Sequence, residues 1–151
     1  MGIAVNEVVS WLEGVEVRLN SISFAKGVEI LCRATPSEKT TQGDKVWTSA
    51  FEAWSEQAGD PTRGDPPEMP GNLLRRLRPL LFDDQGTLYE LTLVAVAVAG
   101  TDTPWDAEWR FRPAPPRTAQ QLSVSFVLDN KDLDRPPIVV SLPTRPATSV
   151  R

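Results

Sequence analysis

The sequence predicts an all-β protein: a single antiparallel β-sandwich of about seven or eight strands, immunoglobulin-like in layout, with one short amphipathic helix carried in an insertion. Three observations lead there. Short segments of alternating apolar and polar residues recur along the chain, no strand–helix–strand alternation calls for a parallel sheet, and fourteen prolines among 151 residues favour strand ends and loops over long helices. A chain of this length normally builds one core, so residues 1–143 are read as one domain. Within it 35–72 form the insertion, with the helix at about 46–58, and 144–151 are a C-terminal tail.

The elements follow in order. In "VEVRL" the residues Val15, Val17 and Leu19 point one way and Glu16 and Arg18 the other, the period of a half-buried strand. "VEILCR" repeats the pattern after the turn-like "AKG", with Val28, Ile30 and Cys32 inward and Glu29 and Arg33 outward, so the two segments are expected to pair. From 35 to 72 the turn formers of "TPSEKTTQGDK" and "GDPTRGDPPEMPGN" flank Trp47, Phe51 and Trp54, whose i, i+4, i+7 spacing puts them on one helical face, with Gly59 as the stop. The second half offers a short strand around Leu80–Phe82, a turn at Asp83–Gly86, a long strand from Leu88 to Ala99, and then "EWRFR", "LSVSFVLD" and "PIVVSLP".

Two of these segments have further implications. In the long strand Leu91, Leu93, Ala95, Ala97 and Ala99 share one side while Val94, Val96 and Val98 share the other, so both faces need a cover, either the Trp47/Phe51/Trp54 helix or a second subunit. In "WDAEWRFRPAPPR" the residues Trp105, Trp109 and Phe111 have one parity and can pack inward on a face that is either core or cleft, Glu108, Arg110 and Arg112 face solvent, and Pro113 ends the ladder. The same stretch matches RxxPxxP through Arg110, Pro113 and Pro116, the form of a polyproline ligand, although proline-rich chains produce that match often.

The early strand pair, the Asp84, Gly86, Tyr89 turn, and Trp109 and Phe111 followed by "PAPP" and an alternating strand together resemble uncharacterised immunoglobulin-like β-sandwich proteins of high-GC bacteria. The resemblance implies the sandwich fold. It brings no activity, cofactor or site residue with it.

Composition removes many chemistries. There is no histidine, which excludes Ser-His-Asp and Cys-His catalysis and histidine-bearing zinc sites within one chain. Cys32 is the only cysteine and alternates in phase with apolar neighbours, so it reads as an inert buried thiol that forms no internal disulfide. No glycine-rich phosphate loop is present, and the chain is not expected to be an enzyme or to hold a cofactor. Net charge is −4, with 6 basic against 11 acidic side chains over residues 1–72; Arg75, Arg76 and Arg78 are the only local cationic group, too small a footprint for nucleic acid. The N-terminus reads as lacking a secretion signal and the longest apolar run falls short of a membrane span, so a cytoplasmic location is expected. Arg63–Asp65 spell RGD, which in such a loop is a chance match.

These readings leave a non-enzymatic interaction or accessory module, protein-binding or self-associating as a homodimer, with Trp105, Trp109, Tyr89, Asp106, Trp47 and Trp54 as the candidate contact residues. A small-molecule or carbohydrate site, binding or hydrolysing, is the first alternative, with Trp105, Trp109 or Tyr89 as a platform and Asp83, Asp84 or Asp106 as its polar groups. The second is a calcium site on the loop of Asp129, Asp132 and Asp134.

Overall fold

Period-two alternation becomes strands nearly everywhere it occurs. The computed structural model describes residues 2–97 and 104–143. In chain order the elements are β1 (Gly2–Leu12), β2 (Val15–Phe24), β3 (Val28–Ala34), α1 (Glu38–Glu56), a 3₁₀ helix (Pro70–Arg76), β4 (Leu77–Asp83), β5 (Glu90–Ala97), β6 (Asp106–Arg112), β7 (Gln121–Leu128), β8 (Lys131–Asp132) and β9 (Ile138–Ser141). All strand pairings are antiparallel. One sheet has five strands in the order β1-β2-β3-β6-β5, and the other sets β7 between β4 on one edge and both β8 and β9 on the other. The fold is therefore all-β, two facing sheets with one helix. In an immunoglobulin sandwich the second strand lies between the first and the fifth. Here β1, β2 and β3 form a consecutive meander, so the layout departs from that order.

The core lies between the sheets and is made of the inward parity of each strand: Val17 and Leu19 of β2, Ile30 and Cys32 of β3, Trp109 and Phe111 of β6, and Leu122, Val124 and Phe126 of β7. Each such side chain contributes roughly 1.5–3 kcal/mol by leaving water. Two hairpins close with two residues at positive φ, Glu13–Gly14 between β1 and β2 and Asp129–Asn130 between β7 and β8, the backbone twist that suits a tight antiparallel connection.

Three elements differ from the sequence expectation. β1 is the longest strand, yet its alternation is interrupted twice by register shifts, between Ala4 and Glu7 and between Val8 and Ser10, with Asn6 at φ 54, so no period of two survives in the sequence. The helix begins at Glu38 rather than 46. Ser37 caps it, its Oγ accepting from Thr40 N while Thr40 Oγ1 accepts from Ser37 N, and a segment that reads as turn formers becomes two extra turns. In β5 a bulge between Leu91 and Leu93 separates residues expected on one face: Leu91 lies opposite Phe111 and packs on the core, whereas Leu93 lies opposite Arg110 and is 42% exposed. Val94 and Val96 also pack on the core, and the 3₁₀ helix, not α1, lies against β5 and β6. Val98 and Ala99 lie outside the described residues, as does the tail 144–151.

Candidate interaction surface

Of the tryptophans expected as contact residues, Trp105 and Trp109 are enclosed, while Trp47 and Trp54 are half-buried. Trp109 sits on the interior strand β6 between Ile30 and Val94 and is 1% exposed. Trp105, at 5%, docks the helix: its Nε1–H donates to Asp44 Oδ1 at 2.9 Å, and a Cβ on Gly43 would stand 3.1 Å from the indole ring. The bare glycine in mid-helix, a costly choice on propensity alone, is what lets α1 approach. An open Trp105/Trp109 platform is therefore ruled out, because the inward parity carries both rings into the core.

Trp47 and Trp54 do share a helix face, with Phe51 between them at ring distances of 5.0 and 5.6 Å. The loop after the helix folds back over it: Trp47 Nε1–H donates to Pro67 O at 3.2 Å, Trp54 Nε1–H donates to Gly64 O at 3.1 Å, and the Arg63 guanidinium lies 3.6 Å above the Trp54 ring. The RGD tripeptide is thereby part of this closure, with its arginine held on the indole. Within the RxxPxxP match Arg110 bonds Glu108 at 2.8 Å and Glu29 at 3.4 Å, while Pro113 is exposed and Pro116 half-buried.

The acidic candidates are occupied by structural partners. Asp106 forms a bidentate pair with Arg33, at 2.7 and 2.9 Å, across β3 and β6, which raises the Arg33 pKa. Asp83 gathers the turn that follows β4: it accepts from Gln85 N and Thr87 N, and Tyr89 Oη donates to it at 2.7 Å. Burial pushes the Asp83 carboxyl up, but the bonds from Thr87, Tyr89 and Gln85 outweigh it and bring the group down to about 2. Asp84 ties the same turn to the start of β7 by accepting from Gln120 N and Gln121 N, and the Gln120 bond draws its pKa down. Tyr89 is thus a staple of this turn, remote in role from Trp105.

The calcium reading is not supported by the geometry. Asp129 is held by Arg76 at 2.7 Å, while Asp132 and Asp134 are exposed, and among the described residues no three acidic, cysteine or histidine side chains converge on a metal-sized site.

Exposed apolar side chains also occur on the outer face of the four-stranded sheet. β4 buries Leu77, Pro79 and Leu81, which turns Arg78, Leu80 and Phe82 outward; β7 buries Leu122, Val124 and Phe126, which turns Ser123, Ser125 and Val127 outward. Register assembles these into rows: Phe82 opposite Ser123 opposite Val139, Leu80 opposite Ser125, and Arg78 opposite Val127 opposite Asp132. Phe82 is 56% and Val139 53% exposed. β9 stops at the Val124 position and β8 starts at Val127, leaving a gap between the two strands in which Leu133 N donates to Phe126 O at 3.4 Å. At that gap a cleft of about 320 Å³ opens at the sheet edge, reaching from Leu80 and Phe82 on the outer face to the core-side residues Val9, Val124, Phe126 and Ile138, with Asp132 and Arg135 at its polar side. None of Leu80, Phe82 or Val139 was singled out from sequence as a contact residue. The available signal was "RPLLF", an apolar run with no polar face in a short edge strand.

No helix among the described residues is long and apolar enough to cross a membrane. Compared with known proteins, the chain matches no family model, and no curated protein and no solved structure matches it significantly.

Proposed function

We propose that this chain is a non-enzymatic protein-interaction module whose recognition surface is the outer face of the four-stranded sheet, acting in a bacterial cytoplasm. The observation that carries the reading is the row of Phe82 and Val139, each more than half exposed, beside the cleft at the β8/β9 gap. Exposed apolar side chains set beside small polar ones and flanked by charge are a common form of partner site, and a cleft of this size takes a side chain or short apolar segment. Further support is chemical. The chain has no histidine, burial pushes the Cys32 thiol far above the range in which it would be a nucleophile, and Asp83, Asp84, Asp106 and Asp129 each have a structural partner. A lone buried cysteine also suits a reducing compartment.

The test is site-directed photocrosslinking in the native host, with p-benzoylphenylalanine replacing Phe82 and, as a control, Leu88, which is 91% exposed in the segment between β4 and β5, outside the strands of this sheet. The reading expects a discrete protein adduct from position 82, identified by mass spectrometry and absent from position 88. Equal adducts from both positions, or none from 82, would overturn it.

A further inference from the structure

We propose that the occupant of this face is a second copy of the chain, packed by a two-fold axis that lies in the interface and runs along β7. The inference rests on the reading above and names its partner. The argument is one of self-complementarity. Residues directly opposite on neighbouring strands share a face, so Arg78 and Asp132 stand on either side of Val127 in one row, and Phe82 and Val139 on either side of Ser123 in another.

A two-fold axis along β7 exchanges the two edges of the sheet while preserving position along the strand. It sets Arg78 against the partner's Asp132 and Phe82 against the partner's Val139, and by symmetry the reverse pairs form as well. Neither Arg78 nor Asp132 has an ion-pair or hydrogen-bond partner among the described residues, so both are free to meet these counterparts. Other symmetric arrangements do worse. An axis across the strands would bring each row onto a different row, placing Arg78 and Asp132 over apolar Phe82 and Val139 with no opposite charge to meet.

The relief of the face also matches. Along the axis run the short side chains Ser123 and Ser125, flanked on β4 by the larger Leu80 and Phe82 and on the other edge by Val139 and the cleft. The β4 ridge of one copy therefore faces the lower edge of the other, as two aligned sheets about 10 Å apart require. The face is three strands wide, roughly 10 Å between outer strands and about 13 Å from Arg78 to Phe82. That is well below the ~800 Å² per partner of a stable interface, so the dimer is weak and concentration-dependent.

The experiment is sedimentation equilibrium of the purified chain at low and high salt, for wild type, Arg78→Asp, Asp132→Arg, the double exchange, and Phe82→Ser. A monomer–dimer equilibrium is expected. Each single charge reversal weakens it by about five-fold or more and the double exchange restores it to within about two-fold, because reversing both members re-forms both pairs. Phe82→Ser abolishes association, and melting temperature, measured alongside, stays within about 2 °C because every altered residue lies on the solvent side. Single reversals that weaken association without recovery in the double exchange would overturn the two-fold arrangement. A chain monomeric throughout would overturn the second copy as occupant, while the position-82 crosslink, if it captured a different protein, would leave the interaction reading standing.

Discussion

The Trp105–Asp44 contact fixes how the insertion attaches to the sandwich, and its removal has a calculable cost. Trp105 is 5% exposed and donates at 2.9 Å to a carboxylate on the half-buried part of α1. A hydrogen bond to an ionised group contributes about 1.5–3 kcal/mol, and partial exposure of Asp44 brings the expectation to about 1–2 kcal/mol. Asp44→Ala should therefore lower the melting temperature by about 2–6 °C for a chain of this size, and Asp44→Asn, which keeps an acceptor but no charge, by less than half as much. Trp105→Phe costs more, since it also withdraws the ring edge that fills the space beside Gly43. A double-mutant cycle in urea isolates the bond: the coupling between the two positions should be about 1 kcal/mol. Additivity within about 0.3 kcal/mol would refute the claim that this bond anchors the helix.

Other outcomes follow from the same geometry. Asp83 has a folded pKa below its unfolded one, so it adds stability that is present above about pH 4 and lost as pH falls toward about 2. Asp83→Asn should remove roughly 1 kcal/mol at pH 7 after allowance for its partial exposure and flatten the acid limb of stability against pH; an unchanged limb would show that the Tyr89 staple contributes nothing. Gly27→Ala should cost about 2–3 kcal/mol in denaturant unfolding, because its Cβ would land on the Phe111 carbonyl oxygen, a backbone atom that cannot swing aside; a loss under 0.5 kcal/mol would contradict the β3–β6 register. Cys32 should resist thiol reagents until the protein unfolds, and labelling in the native state faster than unfolding would place it outside the core. Millimolar calcium should leave the melting temperature unchanged, and a rise of several degrees would revive a site at Asp129, Asp132 and Asp134.

Much of the fold was legible because most strands have one wet face. β3, β6 and β7 alternate cleanly, as does β2 up to its irregularity between Leu19 and Ser21, and the shared parity of Trp105, Trp109 and Phe111 put them on one face, which their burial identifies as core. The failures occur where a local irregularity adds or removes a residue from the count. The double register shift in β1 and the bulge in β5 each move side chains to the opposite face, which periodicity cannot register. The helix start was masked by chemistry that serves caps and turns alike, since Ser37 and Thr40 stop a helix from the middle but begin one at its end. The contact surface was the least legible part. Aromatic residues were the natural suspects, but Trp47 and Trp54 satisfy their N–H groups with their own loop, and exposure of Phe82 follows only from a register that sets Pro79 and Leu81 inward.

The most direct measurement of the central claim is residue-resolved hydroxyl-radical footprinting at micromolar and near-millimolar protein. The outer face of the four-stranded sheet as a self-recognition surface predicts that modification of Phe82 and Val139 falls as concentration rises, while Trp11, 61% exposed on β1, and Leu88 stay constant. Protection at Trp11 or Leu88 with Phe82 unchanged would contradict it.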